Sequence, residues 1–347
     1  MAADSKIQWT DKTWNPTRGC SIVSPGCINC YAMKQAHRFS GAGKAYEGLT
    51  KQTKAGPQWT GKVRTVESAL LEPLSWRKPQ RVFVNSMSDL FHEDVPDQFI
   101  VDVFGVMALA HWHTFQVLTK RADRMRSFLA AGDHGIVNQF KAIQDSGGVG
   151  PRAMFEALSI KRRDSIEWQW PLPNVWLGCS VENQQYADAR IPLLLQTPAA
   201  VRFISAEPLL GPIHLDAFEK GTCWRCCGGG EVAGDYFADD GMAQCDCADG
   251  WDDDNPGLDW VIIGGESGPG ARPFDLAWGR SIVEQCKAAG VPVFVKQVGT
   301  HPIGDFDADG QTVWTVSAHG LRDRNGGDPL EWPADLRVRE FPVLQVV

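Results

Sequence analysis

The chain has 347 residues, of which 43% are apolar and 22% charged, the balance of an ordinary globular protein and not of a disordered one. No apolar run reaches eighteen residues, which excludes a membrane-spanning helix, and Met1-Ala-Ala-Asp-Ser-Lys6 leads into no apolar segment, so no signal peptide and a cytoplasmic location are expected. The formal net charge of −8 argues against wholesale coating of nucleic acid but leaves room for a local basic channel.

At ~150 residues per domain the length fits two units, or one large α/β barrel with insertions. A short first strand is expected near Ile7 to Thr10. Near-continuous apolar runs of strand length follow at Arg81–Asn85, Thr114–Thr119, Asn174–Cys179, Val201–Ser205, Asp259–Gly264 and Val291–Lys296. Such runs mark parallel strands covered on both faces. Between them the spacing predicts helices. One runs from Asp97 to His111 after Pro96, with Phe99, Val103, Met107 and Ala110 on one face. Others run from Asn183 to Leu195 and from Leu276 to Ala289, the last stopped by Gly290. The alternation implies six or seven βα units and the α/β class. An open doubly wound sheet and a partial or full (β/α) barrel both satisfy that count.

Two stretches interrupt the rhythm. Residues 31–80 carry Gly, Lys and Thr with little periodicity. Residues 126–172 contain Lys161-Arg-Arg163 and Trp168-Gln-Trp170, either a basic and aromatic grip on a nucleic acid strand or a solvated helix end with a Trp packed on the barrel.

The strand ends are more informative than the strands. They read Asn85-Ser-Met-Ser-Asp89, Thr119-Lys-Arg121, Cys179-Ser-Val-Glu-Asn183, Ser205-Ala-Glu-Pro208, Gly264-Gly-Glu266 and Lys296-Gln297. In a barrel such ends converge on one face, where active sites form. Loops are polar in any case, but polar groups directly at six successive strand ends favour a shared pocket.

Ten cysteines without an export signal point to metal and not to disulfides. Cys20, Cys27 and Cys30, spaced C-x6-C-x2-C in the loop that opens Trp14-Asn-Pro-Thr-Arg-Gly-Cys20, can hold three corners of a [4Fe–4S] cluster and leave one iron open. Structural zinc would need a fourth ligand, for which His37 is at hand. Cys223, Cys226, Cys227, Cys245 and Cys247 lie in a Gly- and Asp-rich insertion, residues 221–256. Two cysteine groups ~20 residues apart read as a structural Zn2+ site that supplies the insertion's folding free energy. An auxiliary iron–sulfur cluster is the rival. The insertion's many Asp side chains argue against phosphate contact there. Cys179 and Cys286 stand alone, and Cys179 reads as core.

The segments Trp14–Cys20, Ser86–Phe91, Leu118–Arg121, Leu177–Asn183, Ser205–Gly211, Gly264–Pro273, Phe294–Gln297 and Gly326–Phe341 together resemble the phage-type three-Cys-motif family of radical-SAM-like proteins, which is similar to spore photoproduct lyase-like proteins. The resemblance covers the chain apart from residues 126–172 and 221–256. The sequence departs from the usual C-x3-C-x2-C of radical S-adenosylmethionine (SAM) proteins in its longer first spacing, and it places Asn29 before the third Cys and Tyr31 after it.

The resemblance implies a partial (β/α)6–7 TIM-like barrel, the radical SAM core, over residues 1–220 and 257–300. The Cys-rich zinc-type insertion lies at 221–256, and residues 301–347 form a C-terminal extension packed on the barrel. It implies a [4Fe–4S] cluster on Cys20, Cys27 and Cys30 that cleaves SAM to a 5′-deoxyadenosyl radical. Ser86, Ser88 and Asp89 would then receive the SAM ammonium, and Lys120 or Arg121 the carboxylate. Ser180, Glu182 and Asn183 would meet the ribose, Gly264 and Gly265 would admit adenine beside Glu266, and Glu207, Lys296 and Gln297 would close the ring. The simpler roles are a helix cap for Asp89 and an ion pair with Arg202 for Glu182. The expected activity is modification or repair of a nucleotide or nucleic-acid base, served by a reductant such as flavodoxin or ferredoxin, without a membrane partner. The alternative is a non-catalytic protein with zinc at both cysteine clusters and the barrel as a nucleic-acid or partner platform.

Overall fold

Two strands are buried at every position: Val175–Ser180 at all six residues and Trp260–Gly264 at all five. Strands buried on both faces belong to parallel sheets covered by helices, and the topology bears this out. The computed structural model describes residues 5–130, 170–215, 218, 220–221, 231–233, 242–244, 255–304 and 321–343. The Cys223, Cys226, Cys227, Cys245 and Cys247 cluster, Lys161-Arg-Arg163 and Trp168-Gln169 lie outside the described residues. The chain divides into two compact units, Met1–Cys179 with Thr197–Ala200, and Ser180–Gln196 with Val201–Val347.

In the first unit, β1 (Lys12–Trp14), β2 (Arg81–Val84), β3 (Thr114–Thr119) and β4 (Val175–Ser180) pair in parallel, in chain order. The first strand is not at Ile7–Thr10, which forms a turn closed by Thr10 N–H on the Ile7 carbonyl at 3.2 Å. Lys12 and Thr13 are half-buried and polar, so no apolar run marks β1. It is fixed instead by register, Lys12 opposite Val82 and Trp14 opposite Val84. The Arg81–Asp11 pair at 2.9 Å and the Trp14 indole N–H on the Ala69 carbonyl at 2.8 Å add to that hold.

Residues 31–80 are not structureless. They carry α1 (Tyr31–His37), a hairpin of Thr50–Thr53 against Gly56–Trp59, and a short helix at Glu67–Leu70. Ala32, Met33, Ala36, Tyr46, Leu49 and Trp59 form their small core. Elements of four to seven residues are too short to show a period. Farther on, α2 (Asp97–Leu109) starts at the expected residue and ends two residues before the expected His111, and α3 (Ala122–Leu129) follows β3.

In the second unit, β5 (Val201–Ala206), β6 (Trp260–Gly264) and β7 (Val293–Gln297) are again parallel and in chain order. Two helices, α4 (Gln184–Leu195) and α5 (Leu276–Ala289), belong to the same unit. Asn183 is the N-cap of α4 and accepts from Tyr186 N–H at 3.3 Å; Asp275 caps α5 through Ala277 N–H at 2.9 Å. Gly290 ends α5 at φ +67°, the left-handed turn that favours glycine. Residues 338–340 run antiparallel along β7, with Val295 N–H on the Val338 carbonyl and Glu340 N–H on the Val293 carbonyl, both at 2.9 Å.

Neither unit contains the reversal of strand order that defines a doubly wound sheet. The mixed α/β class stands, and sequential parallel strands are compatible with a partial barrel. Among the described residues no helix is long and apolar enough to cross a membrane.

Candidate functional site

The three-cysteine loop leaves β1 and is pinned at several points. Thr17 and Arg18 pair antiparallel with Thr65 and Arg64. Ser88 Oγ donates to the Thr17 carbonyl at 2.9 Å and lies 2.8 Å from Thr17 Oγ1. Asn85, at φ +60°, turns the chain at the end of β2 and accepts from Thr17 N–H at 3.3 Å through Oδ1. Asn tolerates that left-handed conformation better than most residues. Ser86 Oγ donates to Asn15 Oδ1 at 3.3 Å, and the Tyr31 hydroxyl donates to the Ser86 carbonyl at 2.6 Å. Ser86 and Ser88, expected to meet the SAM ammonium, therefore fasten the cysteine-bearing loop. Gly19 has φ +92° and packs against the Lys62 carbonyl, which a Cβ would overlap.

Arg121 stands at the centre of the site, 9% exposed along its side chain. Its Nη1 donates to Asp89 Oδ2 at 3.0 Å and to Cys20 Sγ at 3.9 Å. Its Nη2 donates to Ser21 Oγ at 2.6 Å and its Nε to Glu93 Oε2 at 2.9 Å. Asp89 accepts two further bonds on Oδ1, from the Thr119 hydroxyl at 2.7 Å and Phe91 N–H at 3.0 Å, and one on Oδ2 from Lys120 N–H at 3.2 Å. Four donors fill a carboxylate's acceptor sites. Asp89 thus has no room for an ammonium group, and Arg121, with four bonds of its own, is no free partner for a carboxylate. Lys120 is the other strand-end cation assigned to that carboxylate. It is half-buried, and its charge acts on Cys30.

The protons of this network can be assigned. His92 Nδ1 accepts from Asp94 N–H at 3.1 Å, so the proton sits on Nε2, which donates to Ser21 Oγ at 3.0 Å. Ser21 in turn donates to Glu93 Oε1 at 3.4 Å. Burial and the Arg121 charge hold the His92 pKa below its usual value, consistent with this neutral ring. Glu93 is held down to about 2: burial opposes this, but its own backbone N–H and Arg121 outweigh burial.

Burial, with the Asp89 charge, pushes the Cys20 thiol up to about 12 against the pull of Arg121, and burial also raises Cys30. Both thiols are protonated at neutral pH, so any metal they bind displaces a proton. Cys27 and Cys30 both act electrostatically on Cys20. Among the described residues no group of three or more His, Cys, Asp or Glu side chains stands in metal-holding geometry. The three thiols share one loop without converging on a point. His37, the fourth ligand a zinc site would draw on, is bonded through Nδ1 to Thr50 Oγ1 at 3.0 Å and lies 3.4 Å from Ser40 Oγ.

In the second unit the expected ligand groups are largely paired with one another or with neighbours. Glu182 is fully buried and pairs with Arg190 at 3.1 Å, not with Arg202. The same arginine donates to the Ser180 carbonyl at 2.7 Å. Asn183 is spent on its helix cap. Glu207 pairs with Lys296, and Gln297 Nε2 approaches the same carboxylate at 3.4 Å. Glu266 is held by Arg272 through its backbone N–H at 2.9 Å and its Nε at 3.0 Å. A Cβ on Gly265 would meet the Val298 carbonyl at 2.5 Å, and one on Gly264 would meet Glu207 at 3.1 Å. The chain's own packing accounts for both glycines. Cys179 is fully buried core.

Sequence reasoning missed Ser21, His92, Glu93, Arg190 and Arg272. Only Glu93 and Arg272 had a local signal, a charge beside a strand-end segment already singled out.

A protein-family model matches residues 4–321. The chain belongs to the family described as protein of unknown function (DUF5131). No curated protein and no solved structure matches it.

Proposed function

We propose that this member of DUF5131 is a radical SAM enzyme built on a partial (β/α) barrel, acting on a nucleotide or nucleic-acid base. The observation that carries the reading is the donor set. Three soft thiols lie on one pinned loop after β1, and Arg121 N–H is directed at the first sulfur. Three thiolates in one loop match the three corners of a [4Fe–4S] cluster with one open iron, whereas tetrahedral structural zinc would also need a fourth ligand such as His37. Cys20, Cys27 and Cys30 would hold such a cluster, which would supply an open iron site for SAM and the electron for its reductive cleavage.

The chain's own residues then have defined tasks. Ser86, Ser88 and Asn85 hold the loop. Arg121, fixed by Asp89 and Glu93, keeps a hydrogen-bond donor on the Cys20 sulfur, the outer contact that orients a ligand and tunes a cluster. Lys120 provides the cation for a carboxylate beside Cys30. In the second unit, Glu207, Lys296 and Gln297 form a polar group at strand ends suited to ribose or base contacts. A reductant protein such as flavodoxin or ferredoxin would supply the electron.

Anaerobic reconstitution with iron and sulfide, followed by reduction with SAM and an assay for 5′-deoxyadenosine, tests this. Product from the parent chain and none from a Cys20/Cys27/Cys30→Ala variant is the expected result. Zinc bound without cluster or product would favour the platform reading instead.

A further inference from the structure

Between residues 18 and 64 the chain carries eight Lys and Arg and one acid, Glu47. That is a local charge of +7 in a molecule of net −8. The stretch folds together: α1 packs on the 50–59 hairpin around Met33, Tyr46 and Trp59, and Cys20 and Cys30 pack against that core. Arg38, Lys44, Lys51, Lys54, Lys62 and Arg64 are exposed. Among the described residues no ion pair joins any of these six to a carboxylate.

Two further features stand apart from simple charge. Arg18 and Arg64 lie directly opposite each other in an antiparallel pair, an arrangement that costs stability when nothing lies between the charges. Their guanidinium groups are held by carbonyls of one turn, Arg18 on Ala45 at 3.5 Å and Arg64 on Glu47 at 3.2 Å, which fixes their positions without neutralising them. In addition, five of the seven large apolar side chains exposed among the described residues fall here: Ile22, Val23, Ile28, Tyr31 and Phe39. Tyr31 is 52% exposed while its hydroxyl is tied to the Ser86 carbonyl, so its ring is presented at a fixed position.

Fixed cations interleaved with exposed rings are what a single-stranded nucleic acid requires: phosphates along the charges, unstacked bases on the rings. We infer that the module of residues 18–64 is the docking surface for a single-stranded or locally unpaired nucleic acid. It brings a base up to the three-cysteine loop. The inference deepens the proposed function by giving its substrate class. Binding is measured without SAM or cluster chemistry, so failure of one leaves the other visible.

The test is fluorescence anisotropy of the full chain with labelled single-stranded DNA and RNA of mixed sequence, titrated across salt. The variant Lys44→Glu/Lys51→Glu/Lys54→Glu/Lys62→Glu is compared with Arg77→Glu/Lys78→Glu/Lys220→Glu/Lys287→Glu. The second set carries the same charge change at exposed sites outside the module. The module variant should lose at least about tenfold in affinity, and its salt slope should fall by about 0.7 for each phosphate that is no longer neutralised. The control should keep most of both. Phe39→Ala should weaken binding about tenfold and leave the salt slope in place, the mark of stacking. Equal losses in the two charge variants, no binding of either strand at low salt, or binding of an acidic electron-carrier protein in place of nucleic acid would overturn the inference.

Discussion

Arg121 and Asp89 show how a residue can be noticed for one reason and used for another. Both sit at strand ends, which is why they stood out, but their side chains face each other at 3.0 Å and are 9% and 7% exposed. A buried pair loses most when one partner goes, because the other is left charged and dry. Arg121→Met should therefore cost about 3–5 kcal/mol, while Glu93, 63% exposed, rehydrates and adds little. The double variant Asp89→Asn/Arg121→Met should recover much of that loss. Urea unfolding of the parent and the two variants decides it. Equal destabilisation in single and double variants would show that the pair does not couple. The sequence could not announce this pairing, since Ser21, Asp89, Glu93 and Arg121 meet only after the loop from β1 has folded back over β2 and β3. Glu182 differs: its partner is Arg190, eight residues on within α4, and not Arg202 on the next strand.

At the scale of elements, legibility followed local chemistry. Val175–Ser180 and Trp260–Gly264 were visible because burial on both faces leaves an unbroken apolar run. α5 was visible from its helical spacing and from Gly290, a residue without Cβ that tolerates φ +67°; the Asp275 cap emerged only in the structure. Lys12–Trp14 and the 50–59 hairpin were not, because three- and four-residue strands with polar side chains have no period to read. The two α5 termini give a direct check. Asp275→Ala removes the acceptor for Ala277 N–H and should cost about 1 kcal/mol. Gly290→Ala puts a Cβ into a left-handed position, at about 1 kcal/mol. The sites are ~21 Å apart along the helix, so the double variant should lose the sum in a thermal or urea melt. A loss well beyond the sum would mean that α5 frays as a unit.

Across the whole molecule, the rhythm of parallel strands and helices was legible. The partners of Asp89 and Glu207 were not, because Arg121 and Lys296 lie far away in sequence; Glu182 and Glu266 instead pair with arginines eight and six residues on. Stability against pH is the whole-molecule consequence of such burial. Burial lowers the pKa of His113 although the Pro73 and Trp76 carbonyls favour its charged form; Pro73 lies 3.1 Å from Nε2. Burial and Arg121 lower His92 in the same direction. A base depressed in the folded state is matched by an unfolded chain that binds more protons. Its contribution is therefore complete above the ordinary histidine value of about 6.5 and is lost as pH falls below it. Glu93 acts only at lower pH, below the ordinary carboxyl range. Asp102 and Asp259, raised by burial, act in the opposite sense, so parent and variant must be compared at each pH. Between pH 7.5 and 5.5 the urea midpoint of the parent should fall. His113→Gln, which keeps a donor for the Pro73 carbonyl, should fall less steeply, by at most about 1.4 kcal/mol per pH unit. A variant with the parent's slope would place the pH sensitivity elsewhere, with His92 as the next residue to replace.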